Sequence, residues 1–202
     1  MNNSPIIQPE GNYYPKYTSE NFLVKKIMGG FFSSINSLIR TIPFSSMLDV
    51  GCGEGFISSY ISQNYLVTID AFDSSEKTIM EAKKAFPNIN FFVESIYTNK
   101  IKSGTYDLVI CMEVLEHLHD PDEGLSELFR LTKDYVLVSV PNEPIWRISN
   151  MIRGKYLRNF GNTPGHINHW SKGQFISLCS TYGKIIKQEN PFPWTMLMLK
   201  KN

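Results

Sequence analysis

Apolar positions along the 202-residue chain follow two different periods. Five short stretches, SMLDVG, YLVTIDAF, NINFFVE, YDLVICM and DYVLVSV, are nearly continuous in apolar residues and read as strands buried on both faces. Between them the apolar positions recur at helical spacing, from Gly55 to Gln63, Ser75 to Phe86 and Pro121 to Thr132, the last with proline in its first turn. Upstream, Ser19 is a candidate cap for a helix carrying Phe22, Leu23, Ile27, Met28, Phe31, Ile35, Leu38 and Ile39. Gly29-Gly30 is placed to bend or split that helix, and Pro43 ends it. Downstream, Pro144 to Ile152 suits a short helix, and Ser171 caps another that runs to about Tyr182. GKIIKQENPFP and TMLMLK close the chain as a hairpin, which would give the sheet an antiparallel edge strand.

Strands alternating with helices imply a parallel sheet covered on both faces. The expected fold is therefore α/β: a doubly wound, mostly parallel, seven-stranded sheet of Rossmann-like type with an antiparallel last strand. Residues 1–18 read as an irregular arm and 19–202 as one domain. The size agrees, since single domains commonly run to ~100–200 residues.

Composition narrows the partners. Twenty Lys+Arg against nineteen Asp+Glu leave a formal charge of +1, which argues against holding nucleic acid by bulk electrostatics. The three cysteines, Cys52, Cys111 and Cys179, show no metal-binding spacing and read as reduced thiols. No apolar run approaches the roughly 18 residues of a membrane span. The expectation is a soluble, cytoplasmic protein.

The first strand ends in Leu48-Asp49-Val50-Gly51-Cys52-Gly53-Glu54-Gly55. Alternate glycines permit positive φ and close backbone approach to a ligand. Phe56 stands where a dinucleotide fingerprint needs a small residue, and the lysine of a P-loop is missing. The stretch resembles motif I, D-x-G-x-G-x-G, of class I S-adenosylmethionine (SAM) methyltransferases. The resemblance assigns Asp49, Gly51, Gly53 and Gly55 to the methionine part of SAM. Asp73-Ser74-Ser75, followed by Ala82-Lys83, is similar to the family's second signature, where the acid takes the ribose hydroxyls. Asp70 is a rival, but would lie within the strand. After the third strand, Ser95 stands where the family usually has aspartate for the adenine amino group, with Ile96 against the adenine face. The cofactor implied is SAM, with S-adenosylhomocysteine as product.

The fourth strand runs into Glu113-Val114-Leu115-Glu116-His117-Leu118-His119-Asp120-Pro121, which closely resembles ubiquinone-biosynthesis-type O-methyltransferases (E-V-L-E-H-[LV]-x-D-P). If Glu113 opens a helical turn, Glu116 and His117 share its face at i+3 and i+4. In the similar small-RNA 3′-terminal 2′-O-methyltransferases, an E-x-x-E-H cluster plus a distant histidine holds Mg²⁺ or a similar divalent ion. That resemblance implies a metal set of Glu113, Glu116, His117 and His166, with His169 the less favoured alternative. A metal-free reading makes His117 or His166 the catalytic base. A third reading is structural, with the acids bonding SAM or helix amides; Glu113 is then a cofactor contact.

Two segments are placed to cover the site: a lid helix at 19–42, preceded by Tyr13, Tyr14 and Tyr17, and a substrate-side cover at 141–170. The second carries Arg147, Arg153, Lys155 and Arg158, with no acid among them. It fits either an anionic acceptor or a solvated charged loop. The resemblance implies methyl transfer to an oxygen of a small or lipid-linked metabolite. The alternatives are an RNA 2′-O-methyltransferase, an N-methyltransferase, and a non-catalytic SAM-binding partner subunit.

Overall fold

The computed structural model describes residues 16–202. Tyr13, Tyr14 and most of the expected arm lie outside the described residues; Lys16 to Thr18 form a turn leading into the first helix. The helices are α1 (Phe22–Ile39), α2 (Phe56–Asn64), α3 (Glu76–Ala85), α4 (Pro121–Leu131), α5 (Ile145–Ile152) and α6 (Lys172–Ser180). The strands are β1 (Ser46–Val50), β2 (Thr68–Asp73), β3 (Asn90–Val93), β4 (Tyr106–Met112), β5 (Thr132–Pro141), β6 (Lys184–Glu189) and β7 (Trp194–Lys200).

The sheet order is β3-β2-β1-β4-β5-β7-β6. The first five strands are parallel to one another, and β7 runs antiparallel to both β5 and β6. The last strand is antiparallel as expected, but it lies inside the sheet with β6 at the edge, so only its expected edge position is corrected. Burial explains the order. Six residues of β7 in succession are buried, whereas no residue of β6 is. An edge position would expose the methionines and leucines of β7.

Helices α1, α2 and α3 pack on one face of the sheet, α4 and α6 on the other. Met28, Phe31, Ile35, Leu38 and Ile39 of α1 are buried. The helix runs unbroken through Gly29-Gly30, contrary to the expected bend. Two glycines cost a helix about 2 kcal/mol relative to alanine, which the burial of five large apolar side chains outweighs. Asn21, and not Ser19, caps α1, its Oδ1 accepting from the amides of Leu23 and Val24. At α6 the expected cap forms, with Ser171 and Gln174 closing a capping box.

From β1 the chain winds outward to β2 and β3, then crosses back to lay β4 on the other side of β1. The carboxyl ends of β1 and β4 thus flank the point where the winding reverses, and there the sheet opens a crevice.

Candidate active site

The glycine turn joins β1 to α2. Gly51, Gly53 and Gly55 have φ of +72°, +53° and +80°. A Cβ at Gly55 would lie 2.6 Å from Cζ of Phe91, and one at Gly51 would lie 2.5 Å from Cγ2 of Val114. Two of the glycines are thus needed for the turn to fold at all, before any ligand approaches. The amides of Gly51 and Cys52 donate to Phe72 O at 2.8 and 2.9 Å, and the Gly53 amide donates to Asp73 Oδ2 at 3.1 Å. Asp73 Oδ1 accepts from the Ser75 amide at 2.9 Å, while Ser75 itself caps α3. Asp70 accepts from Tyr106 at 2.6 Å and Asn90 at 2.8 Å within the sheet, and does not face the crevice.

Asp49 lies buried beneath the turn. The Ser58 hydroxyl donates to its Oδ2 at 2.5 Å. Burial pushes its pKa up to about 7; the Ser58 bond opposes the rise and the charge of Asp73 adds to it. Burial also raises Asp73, against the amides of Ser75, Gly53 and Ser74.

A cavity of about 1000 Å³ opens above the turn. Asp49, Gly51, Gly53, Asp73, Ser74, Ser95, Ile96 and Glu113 all line it; Gly55 faces Phe91 instead. The Ser95 amide donates to the Glu94 carboxylate at 2.9 Å, and its hydroxyl accepts from the Tyr97 amide at 3.3 Å.

Past β4, the geometry differs from the expected shared helical face. Glu113 has φ of +63°, and the turn that follows is a short 3-10 helix over Leu115–His117. Glu113 is turned towards β5 and β7. Its Oε1 accepts from Ser139 Oγ at 2.9 Å, and its Oε2 accepts from Trp194 Nε1. Three of the four nominated metal residues come together: Glu116, His117 and His166 offer ligand atoms that all lie within 4.8 Å of one another. Glu113 is outside that group. Glu116 is buried, and its Oε2 has no hydrogen-bond partner. His117 Nδ1 lies 2.9 Å from Gly165 O, so it carries the proton and Nε2 is left with the lone pair. The two imidazoles meet edge to face at 4.8 Å, and His166 stacks on Trp146. His169 is bonded to Asn162 away from the cluster.

Burial sets the charge states. It raises Glu116 well above the usual carboxylate range, with the charge of Glu113 adding to the effect. Burial lowers His117, against the pull of Gly165 O, and drives His166 down to about 3. Both imidazoles are then neutral near pH 7, fit to accept a proton or ligate a cation.

Both segments expected to cover the site contribute to the cavity wall. Asn21, Val24 and Ile27 at the start of α1 line the cavity, as do Trp146, Arg153 and Tyr156 from the 141–170 segment. Two of the cover's arginines are tied to its own backbone: Arg147 Nε donates to Phe160 O at 3.0 Å and Arg153 Nε to Ser149 O at 3.2 Å. No motif pointed to Lys16, whose ammonium lies 6.0 Å from the Trp194 ring and 5.1 Å from that of Tyr17. Burial lowers its pKa, but the charges of Tyr17, Glu113 and Glu116 raise it further. Trp194 of β7 is also a site residue: it lines the cavity and donates to Glu113. Glu143 is buried near the cluster, and its charge adds a little to the rise of Glu116.

A mostly parallel seven-stranded sheet with one inverted strand, wound about this glycine turn, defines the class I SAM methyltransferase fold. A family model for a methyltransferase domain matches residues 28–184, and the chain belongs to that family. Among curated relatives, it is 30% identical over 136 residues to the mitochondrial ubiquinone biosynthesis O-methyltransferase of Saccharomyces cerevisiae, covering 62% of this chain and 41% of that protein. It is 35% identical over 105 residues to the ubiquinone biosynthesis O-methyltransferase of Rickettsia canadensis, covering 49% and 43%. The chain thus spans less than half the length of these relatives. Magnesium protoporphyrin IX methyltransferase from Synechocystis PCC 6803, solved with bound SAH, superposes with a TM-score of 0.66 at 19% identity, covering 91% of this chain and 89% of that one. A protein from Pyrococcus horikoshii OT3 gives 0.71 at 16% identity, covering 94% and 97%. No helix among the described residues is long and apolar enough to cross a membrane.

Proposed function

We propose that this protein transfers the methyl group of SAM to an oxygen of a small or lipid-linked acceptor held over Glu116, His117 and His166. The observation that carries the reading is His117: its Nδ1 proton is committed to Gly165 O, and its Nε2 stands free beside a second neutral imidazole. The names of the curated relatives support oxygen as the target.

In this reading Asp73, fixed by the amides of Gly53 and Ser75, offers its remaining lone pairs to the ribose hydroxyls. Ser95 and Ile96 border the adenine, and the glycine turn approaches the methionine part. SAM supplies an already activated methyl. The protein's work is then alignment and exclusion of water, shared by α1 and the second cover. His117 Nε2 takes the proton of the acceptor hydroxyl as the oxygen attacks.

One observation favours a metal-assisted version: Glu116 Oε2 is buried without a partner next to two imidazoles. These three residues fit a divalent cation, which would lower the pKa of the acceptor hydroxyl. Two nitrogen donors and one carboxylate suit a transition ion better than Mg²⁺, which prefers oxygen ligands. We place the protein in a reducing compartment, cytoplasmic by default, on the strength of its three unpaired cysteines.

The test is transfer of labelled methyl from SAM to fractions of cell extract. His117→Asn is expected to lower kcat about 10²-fold or more with SAM affinity unchanged. Loss of activity with EDTA, restored by Mn²⁺ or Zn²⁺, assigns the metal version; full activity in EDTA assigns His117 as base. A fully active His117→Asn enzyme would refute both.

A further inference from the structure

Helix α5 is turned inside out. Its polar Asn150 is 2% exposed, with Nδ2 donating to Gly161 O at 2.9 Å and to Thr163 Oγ1 at 3.2 Å, whereas Ile152 is 81% exposed. Ile145 and Ile148 are exposed too, so the three isoleucines form one apolar stripe at i, i+3 and i+7 facing solvent. The loop after α5 extends it with Leu157 and with Phe160, 73% exposed. An isolated apolar side chain on a surface needs no explanation; three on one helix face, with two more exposed in the segment that follows, do.

The same region is cationic. From Pro144 to Gln188 the chain has no aspartate or glutamate, and Arg153, Lys155 and Arg158 are exposed beside the stripe. On α1, exposed Phe22 and Leu23 stand next to exposed Lys26 and to Lys25, which pairs with Glu20 at 2.5 Å, so Lys26 is the cation counted here. Leu23 and Lys26 line the same cavity as Ile152 and Arg153. The two patches are therefore rims of a single mouth, each combining large apolar side chains with lysine or arginine.

We propose that this rim docks on an anionic lipid bilayer. The isoleucines, Leu157 and the phenylalanines enter the acyl boundary, the cations meet the headgroup charge, and the cavity mouth is held at the membrane surface. The charge pattern selects this occupant. A second copy of the chain would bring like cations together, and a nucleic acid would leave the apolar stripe in water. The inference stands on exposure and charge and does not depend on which acceptor is methylated.

The test is sedimentation of the full chain with vesicles of phosphatidylglycerol and phosphatidylcholine in equal parts, and with phosphatidylcholine alone. Binding to the mixed vesicles is expected to be about tenfold tighter or more, and to weaken in roughly 0.5 M salt. Ile148→Ser combined with Phe160→Ser should weaken it about tenfold or more. Arg158→Glu should weaken binding to mixed vesicles and leave binding to phosphatidylcholine unchanged. None of the three residues lines the cavity, so SAM affinity by calorimetry stays at the wild-type value and reports correct folding. The proposal is overturned if the wild-type chain stays in the supernatant with both vesicles. It is equally overturned if the double variant binds as the wild type does, or if the patch serves only a dimer that the double variant dissolves.

Discussion

Asparagine at position 49 tests how the glycine turn is supported. Asp49 is 1% exposed, its Oδ2 accepts from Ser58, and burial raises its pKa from 3.8 to about 7. A carboxyl with a raised folded-state pKa binds its proton more tightly folded than unfolded. Its contribution is therefore favourable at low pH, declines as pH rises past the unfolded value near 4, and is fully lost above about 7. Three pH units at 1.36 kcal/mol each amount to roughly 4 kcal/mol, a large share of an ordinary domain's stability. Asparagine keeps the shape and an acceptor oxygen for Ser58, and removes the titration. Urea unfolding of both proteins, in steps from pH 4.5 to 8 without SAM, gives the difference. Asp73, Glu113, Glu116 and Glu143 are raised in the same direction, but they are common to both proteins and largely cancel. The variant should gain on the wild type by about 1 kcal/mol per pH unit up to neutrality and then level off. Parallel curves would refute the reasoning, because they would mean that Asp49 is solvated or paired well enough to ionise freely.

Gly55→Ala forces a side chain into positive φ and against Phe91; it should cost about 2 kcal/mol or more in chemical denaturation and weaken SAM binding. Ser171→Ala removes the capping box of α6 and should cost about 1 kcal/mol, a fall of some 2–4 °C in the thermal midpoint. Trp194→Phe deprives the buried Glu113 carboxylate of a donor and should cost about 1–3 kcal/mol by urea titration.

Much of the fold was legible because local rules impose it. Apolar runs bounded by turn formers marked the five parallel strands, and positive φ at alternate residues requires glycines such as those at 51, 53 and 55. The place of β7 was not legible, since a hairpin fits a sheet with either strand outermost. Only the contrast of TMLMLK with the lysine-bearing KIIKQE hinted that the second strand was the edge. The Ser19 and Asn21 caps compete within three residues, and both types cap well.

Glu113 was misplaced for a different reason. Glutamate gives no warning of a left-handed conformation, yet one positive φ turns its carboxylate away from the 3-10 turn and onto Ser139 and Trp194. The meeting of His117 with His166 depends on contacts that sequence spacing does not express. Glu116 O accepts the amides of Ile167 and Asn168, and Asn168 Nδ2 donates to Leu118 O at 2.6 Å. These bonds clip the second cover to the turn after β4, and Gly165 O then fixes the tautomer of His117. In the proposed reaction the residue that takes the proton is thus oriented by the segment proposed to cover the acceptor, so changes at 162–169 should alter both acceptor choice and rate.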